Sequence, residues 1–243
     1  SEEHRSQYNI ALREIKFNYS TVIDPSVSLN KGDIPNWLNE DRINLINWNS
    51  DEIKTYRARY FKYLEKIGRS NSIITETKRS SLEIVKKLGD PKSNDDFFVK
   101  GLVVGSVQSG KTQNFNAVLN SSIDVGYKLI IVLSGIMEDL RRQTQNRIEF
   151  EVEGKMVSRN KFLGVGEIVS FGPLGSLPNV NQISIPTSTE KDFDRSMQLA
   201  QFTLNTTNIL VCKKNTSVLQ NLILWLNDFI ANSDEKLIDN IPL

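Results

Sequence analysis

Gly105, Gly110, Lys111 and Thr112 stand at the spacing G-x-x-x-x-G-K-[ST] in the stretch Gly105-Ser-Val-Gln-Ser-Gly-Lys-Thr112. Glycines at such positions free backbone N–H groups to cradle phosphate oxygens, the lysine reaches toward the terminal phosphates, and the threonine hydroxyl holds magnesium. A chain of 243 residues meets this pattern by accident with a chance on the order of 0.01. The chemistry expected is the gripping of a nucleotide, ATP with Mg2+, with Lys111 as the catalytic cation and Thr112 as the metal ligand.

A phosphate loop needs a strand before it and a helix after it. Leu102, Val103 and Val104 read as a buried parallel strand, and Phe115, Val118, Leu119, Ser122 and Ile123 recur with the period of a helix that starts at Lys111. Asp124-Val-Gly126-Tyr is a turn, and the continuous apolar run Lys128 to Leu133 predicts a second parallel strand, completing a β-α-β unit. Ser134-Gly135 opens a helix from Ile136 to about Phe150. In it Met137, Leu140, Thr144 and Ile148 point one way, while Arg141, Arg142, Gln145 and Arg147 lie mainly elsewhere. Asn208 to Lys213 is a third apolar strand, and Asn215-Thr-Ser217 caps a helix that buries Val218, Leu219, Leu222, Ile223, Leu226, Phe229 and Ile230. Lys213, Lys214 and Asn215 fall at the carboxyl edge of the sheet, either as phosphate contacts or as solvated side chains.

The first 96 residues read as a helical N-terminal region, with residues 97–243 as the phosphate-loop domain. Ile10, Leu12, Ile15 and Phe17 form no assignable pattern, and Asp24-Pro25 and Lys31-Gly-Asp-Ile-Pro35 are turn chemistry. Ile53, Tyr56, Tyr60, Tyr63, Leu64 and Ile67 predict an amphipathic helix with Asp51 and Gly68 as caps; its tyrosines serve packing or base stacking. A second helix is expected from about Asn71 to Leu88, with Ile74, Thr77, Leu82, Val85 and Leu88 inward and Gly89-Asp-Pro91 stopping it. Between about 151 and 207 the periodicity fades, as in an irregular insertion. Phe162 to Val169 and Gln182 to Ile185 are expected as short strands there, and Thr189 to Thr203 as a helix through Phe193, Met197, Leu199 and Phe202.

Composition removes several alternatives. The formal net charge is +1, so any nucleic-acid binding must come from a local patch. The single cysteine, Cys212, excludes an internal disulfide framework and a cysteine-based zinc site, and fits a reducing cytoplasm. The single histidine, His4, argues against histidine-dependent chemistry. Val218 to Ile230 is too short and too polar to span a bilayer, and no signal-peptide pattern opens the sequence. Glu153-Gly-Lys155 with Asp139 or Asp124 fits half of a nuclease pattern; because E-x-K triplets are abundant on charged surfaces, we set it aside.

Leu133-Ser-Gly-Ile136 and Leu140-Arg-Arg-Gln143 resemble the strand-end loop and L-x-x-Q helix of superfamily-two helicases, which run along a nucleic-acid backbone. Loop amides, a helix N-terminus and flanking Arg or Gln side chains suit phosphate contacts, making Arg141, Gln143 and Arg147 the nucleic-acid-binding candidates. The closer resemblance is to the Z-one domain family, bacterial helicase-like P-loop proteins assigned as endonucleases. It rests on Lys100 to Asn116, Gly126 to Ile136 and Leu140 to Arg147, and extends more loosely over Asn208 to Leu219. This resemblance implies a RecA-like α/β core, nucleotide binding through the loop with Gln108 and Ser109 included, and a role near DNA modification or phage defence. DNA, and nuclease or methyltransferase proteins, are the partners implied.

A P-loop enzyme also needs acidic residues at the end of a neighbouring strand. In the resembled family they follow a stretch like Ile241-Pro-Leu243, so the core is expected to be truncated before its metal-binding carboxylates, binding nucleotide without efficient turnover. A nucleotide-sensing interaction module and a metal-dependent nuclease are the alternatives.

Overall fold

Strands form where an apolar run finds partners on both edges and both faces, and one segment of this chain does so fully. In the computed structural model, which describes residues 27, 37–45, 52–94, 97–104, 110–156, 161–169, 182–195 and 206–232, Thr206–Cys212 is the central strand of a parallel sheet. We label the strands β1 (Leu129–Leu133), β2 (Lys155–Met156), β3 (Lys161–Phe162), β4 (Gln182–Ser184) and β5 (Thr206–Cys212). The sheet has the order β1-β5-β4, with Ile131 opposite Leu210 and Ile183 opposite Thr207, and both pairings are parallel. β2 and β3 form a separate antiparallel pair. The expectation of an α/β chain with a parallel sheet agrees with this three-stranded arrangement.

The helices are α1 (Glu40–Leu45), α2 (Tyr56–Lys66), α3 (Asn71–Val85), α4 (Lys111–Val125), α5 (Glu138–Ile148) and α6 (Thr216–Asn232). A π-helical turn, Glu149–Glu153, continues α5, and a 3-10 turn spans Gly164–Glu167. Side chains alternate across β5 with period two. Ile209 and Val211 join Leu119 and Ile123 of α4 and Ile148 at the end of α5, while Leu210 and Cys212 join Val218, Leu222 and Trp225 of α6. Helices therefore cover both faces of the sheet. Trp225, fully packed against Phe193, belongs to this second core although the periodicity reading did not select it; Ile223, selected, is exposed.

α2 and α3 do not stand apart from α4. Tyr60, Phe61, Leu64 and Ile74 share a core with Ala117 of α4 and Val165, and Tyr56 lies in the sheet core. The tyrosine stripe of α2 is thus packing, with Tyr56, Tyr60 and Tyr63 all buried. The start of α2 is fully accounted for in hydrogen bonds. Asp124, in the last turn of α4, accepts the amides of Tyr56 and Arg57, and Thr55 Oγ1 accepts that of Ala58.

Three expectations fail. Leu102, Val103 and Val104 are not a strand: they carry no regular structure, and Leu102 is 87% exposed. An apolar run becomes a strand only with ladder partners, and among the described residues β1 pairs with β5 and not with this segment. Phe162 to Val169 gives only the last residue of β3 and then the 3-10 turn, because Gly154 and Gly166 pack backbone to backbone there: a Cβ on Gly166 would lie 1.8 Å from Gly154 O. Residues 189–195 are not helical; Ser188 and Lys191 exchange backbone hydrogen bonds in a turn, and Arg141 takes the carbonyls of Ser188 and Thr189. The segment expected as an insertion contributes β4 to the sheet. Ile10 to Phe17, Asp24-Pro25, Lys31 to Pro35, Asp51, Met197 to Phe202 and Ile241 to Leu243 lie outside the described residues.

Candidate functional site

α4 begins where a residue must turn the backbone left-handed. Gly110 has φ +75° at the helix N-cap, with open space around it, so the main requirement there is conformational. No side chain caps α4, whose first turn lies at the positive end of the helix dipole. Lys111 and Thr112 are exposed on that first turn.

A cleft of about 290 Å³ opens beside them. α4 supplies Lys111, Thr112, Phe115 and Asn116; the carboxyl end of β1 supplies Val132, Leu133 and Ser134; α5 supplies Thr144 and Arg147. Ser134 is fixed by its amide and hydroxyl, both donating to Cys212 O at the end of β5. Arg147 Nη1 donates to Thr112 Oγ1 at 3.0 Å. The structure thus brings together Lys111 and Thr112, taken from the loop motif, and Arg147, taken from the helix motif. Gly105, Gln108 and Ser109 lie outside the described residues.

The polar residues after Thr112 bind α4 to its neighbours. Gln113 Nε2 donates to Thr77 Oγ1, and Ser80 Oγ donates to Asn114 Oδ1. Asn116, fully buried on the cleft floor, donates from Nδ2 to Glu151 Oε2 at 2.5 Å, which orients its amide and leaves Oδ1 with no partner. Tyr60 OH donates to the same carboxylate oxygen, and Asn120 Nδ2 to Glu151 O. The sequence reading passed over Asn116 and Asn120 as site-related residues. Their signal is the spacing Thr112, Asn116, Asn120, a polar stripe that runs from the exposed first turn into the buried face of the helix.

α5 departs in part from its expected orientation: Ile148 is buried as expected, but the rest of the buried face is polar. Its buried residues are Arg141, Gln145 and Ile148, whereas Met137 and Leu140 are exposed. Arg141 has 0% exposure and donates to Glu138, Ser188 O and Thr189 O, so it cannot serve as a nucleic-acid contact. Gln145 exchanges hydrogen bonds with Thr187. The buried face is chosen by the carbonyls of 187–189, which satisfy long polar side chains better than the thioether or leucine could. Gln143 is exposed on α5 and does not line the cleft.

Lys213, partly exposed, pairs with two carboxylates: its Nζ lies 3.0 Å from Glu138 and 3.5 Å from Asp192. Hydrogen bonds from Arg141 and Lys213 draw the Glu138 carboxyl down to about 2. The residues of the half nuclease pattern are separated in role. Asp124 holds the start of α2, Asp139 is exposed, and burial with Glu149 nearby pushes Glu153 up to about 7. Among the described residues no group of three or more His, Cys, Asp or Glu side chains could hold a metal ion.

This donor set suits a phosphate group, with a helix N-terminus, Lys111 and Arg147 converging on one cleft. For Mg2+ the lining residues present the Thr112 hydroxyl and no carboxylate, so a magnesium ion there would take its other ligands from phosphate oxygens and water. Comparison of the chain with protein-family models, with curated proteins and with solved structures gives no match. Among the described residues no helix is long and apolar enough to cross a membrane.

Proposed function

We propose that the chain is the nucleotide-gripping part of a helicase-like, RecA-like P-loop protein that couples ATP binding and hydrolysis to DNA processing, in bacterial DNA modification or phage defence. The observation that carries this reading is the cleft in which Lys111 and Thr112, at an uncapped helix start, meet Arg147 at the carboxyl edge of a parallel sheet. The exposed side of α5 supports the DNA part: Arg142, Gln143 and Asn146 are exposed beside Ile136, Met137 and Leu140. Binding of a fluorescent ATP analogue to the full chain tests the nucleotide part. Lys111→Ala should weaken it at least about tenfold, through the lost charge-assisted contact. No saturable binding, or binding indifferent to Lys111→Ala, would remove the reading.

A second reading is a nucleotide-sensing module without motor activity. It is favoured by the direct contact of α3 with the first turns of α4, through Thr77 with Gln113 and Ser80 with Asn114, which would carry a shift of α4 to the N-terminal helices. Nucleotide binding unaffected by DNA would select it.

A further inference from the structure

We propose that Arg147 and a divalent cation compete for the Thr112 hydroxyl, so that Arg147 sets how strongly nucleotide binding depends on metal. The inference rests on the nucleotide reading of the cleft and specifies its regulation.

Arg147 comes from the last turn of α5, where a cation is favoured by the helix dipole, and its guanidinium reaches Thr112 Oγ1 at 3.0 Å. Its backbone position is held firmly. Ile148 and Val152, on either side of the junction with the π-helical turn, are fully buried, and Glu151 of that turn holds Asn116 of α4. The side chain itself is exposed at the mouth of the cleft, so it can turn without disturbing the helix.

The competition follows from the oxygen. A threonine hydroxyl offers two lone pairs, one of which already receives the Arg147 N–H. A divalent cation on the same oxygen would stand a few ångströms from the guanidinium, and two positive charges at that range repel strongly unless anionic oxygens lie between them. Phosphate oxygens supply those anions, and a guanidinium matches them in geometry. With the cation present, Arg147 therefore leaves Thr112 for a phosphate oxygen. Without it, Arg147 remains as the countercharge and permits metal-free binding.

The measurement is the ratio of the dissociation constants of the fluorescent ATP analogue in EDTA and in Mg2+, on the full chain. Arg147→Gln should raise that ratio roughly tenfold, by weakening metal-free binding more than binding with Mg2+, where the cation supplies most of the countercharge. Arg147→Lys should fall between, and Thr112→Val should lower the ratio toward one by weakening binding with Mg2+ alone. A ratio unchanged by Arg147→Gln, whether both constants shift by one factor or neither moves, overturns the proposal and leaves Arg147 as a structural tie. Absence of any wild-type binding, or binding indifferent to Lys111→Ala, instead sinks the nucleotide reading and this inference with it.

Discussion

The carboxylate of Asp124 accepts the backbone N–H of Tyr56 at 2.9 Å, so the last turn of α4 closes the first turn of α2. Burial pushes that carboxyl up to about 7, against the pull of the Tyr56 and Arg57 amides and of the Arg57 and Arg59 guanidiniums. Burial and Glu149 do the same to Glu153. For an acid whose folded pKa lies above its unfolded value, the folded state holds a proton that the unfolded chain has already lost. The associated stability is fully present below the unfolded pKa and is lost as pH rises through the folded value near 7. The unfolding free energy from urea titration should therefore decline between pH 5 and pH 7.5, with a slope of up to about 1.4 kcal/mol per pH unit for each proton held. Asp124→Asn should flatten part of that slope, and a flat wild-type profile would contradict the assignment.

Arg141 supports a different prediction from its neighbour. Arg141→Ala strips Ser188 O, Thr189 O and Glu138 of a buried cation and should cost about 3 kcal/mol or more. Arg142, exposed and paired with Glu138 at the surface, should cost less than about 1 kcal/mol as alanine. Thermal denaturation of the two variants decides it; equal losses would mean that Arg141 is not the tether of the 187–191 segment.

Gly166→Ala should be poorly tolerated, since the added methyl would meet Gly154 O at 1.8 Å and neither backbone has a flexible end to yield. A loss above about 2 kcal/mol is expected. Gly101→Ala, with nothing within 4 Å of the new atom, is the control and should change stability little. Denaturant titration of both checks the contrast.

Cys212 sits fully buried at the end of β5, and burial pushes its thiol up to about 12. A thiol-reactive dye at pH 8 should leave the folded protein unlabelled and react in step with the loss of circular dichroism as urea is added. Labelling before unfolding would show that the end of β5 opens independently.

These features differ in how far the sequence reveals them. β1 and β5 were readable because a continuous apolar run has few other fates, and α4 because its apolar residues keep a helical period up to Gly126. α5 was misread because its inward side chains are Arg141 and Gln145, satisfied by carbonyls some 40 residues further along the chain. Leu102 to Val104 shows the converse: hydrophobicity states a preference for burial, and burial still needs a partner. Of the site, Lys111 and Thr112 follow from local spacing, whereas the meeting of Thr112 with Arg147 depends on how α4 and α5 lie on the sheet.

The order of the sheet also bears on how the protein is made. Among the described residues both strand pairings of the sheet run through β5, so there β1 and β4 find a ladder partner only once residues 206–212 leave the ribosome. At roughly 5–20 residues per second, β1 waits several seconds in translation with its apolar edge unmatched. A chaperone able to shield Leu129 to Leu133 during that interval would raise the yield of folded protein, and a stalled chain ending before β5 would be a substrate for proteolysis.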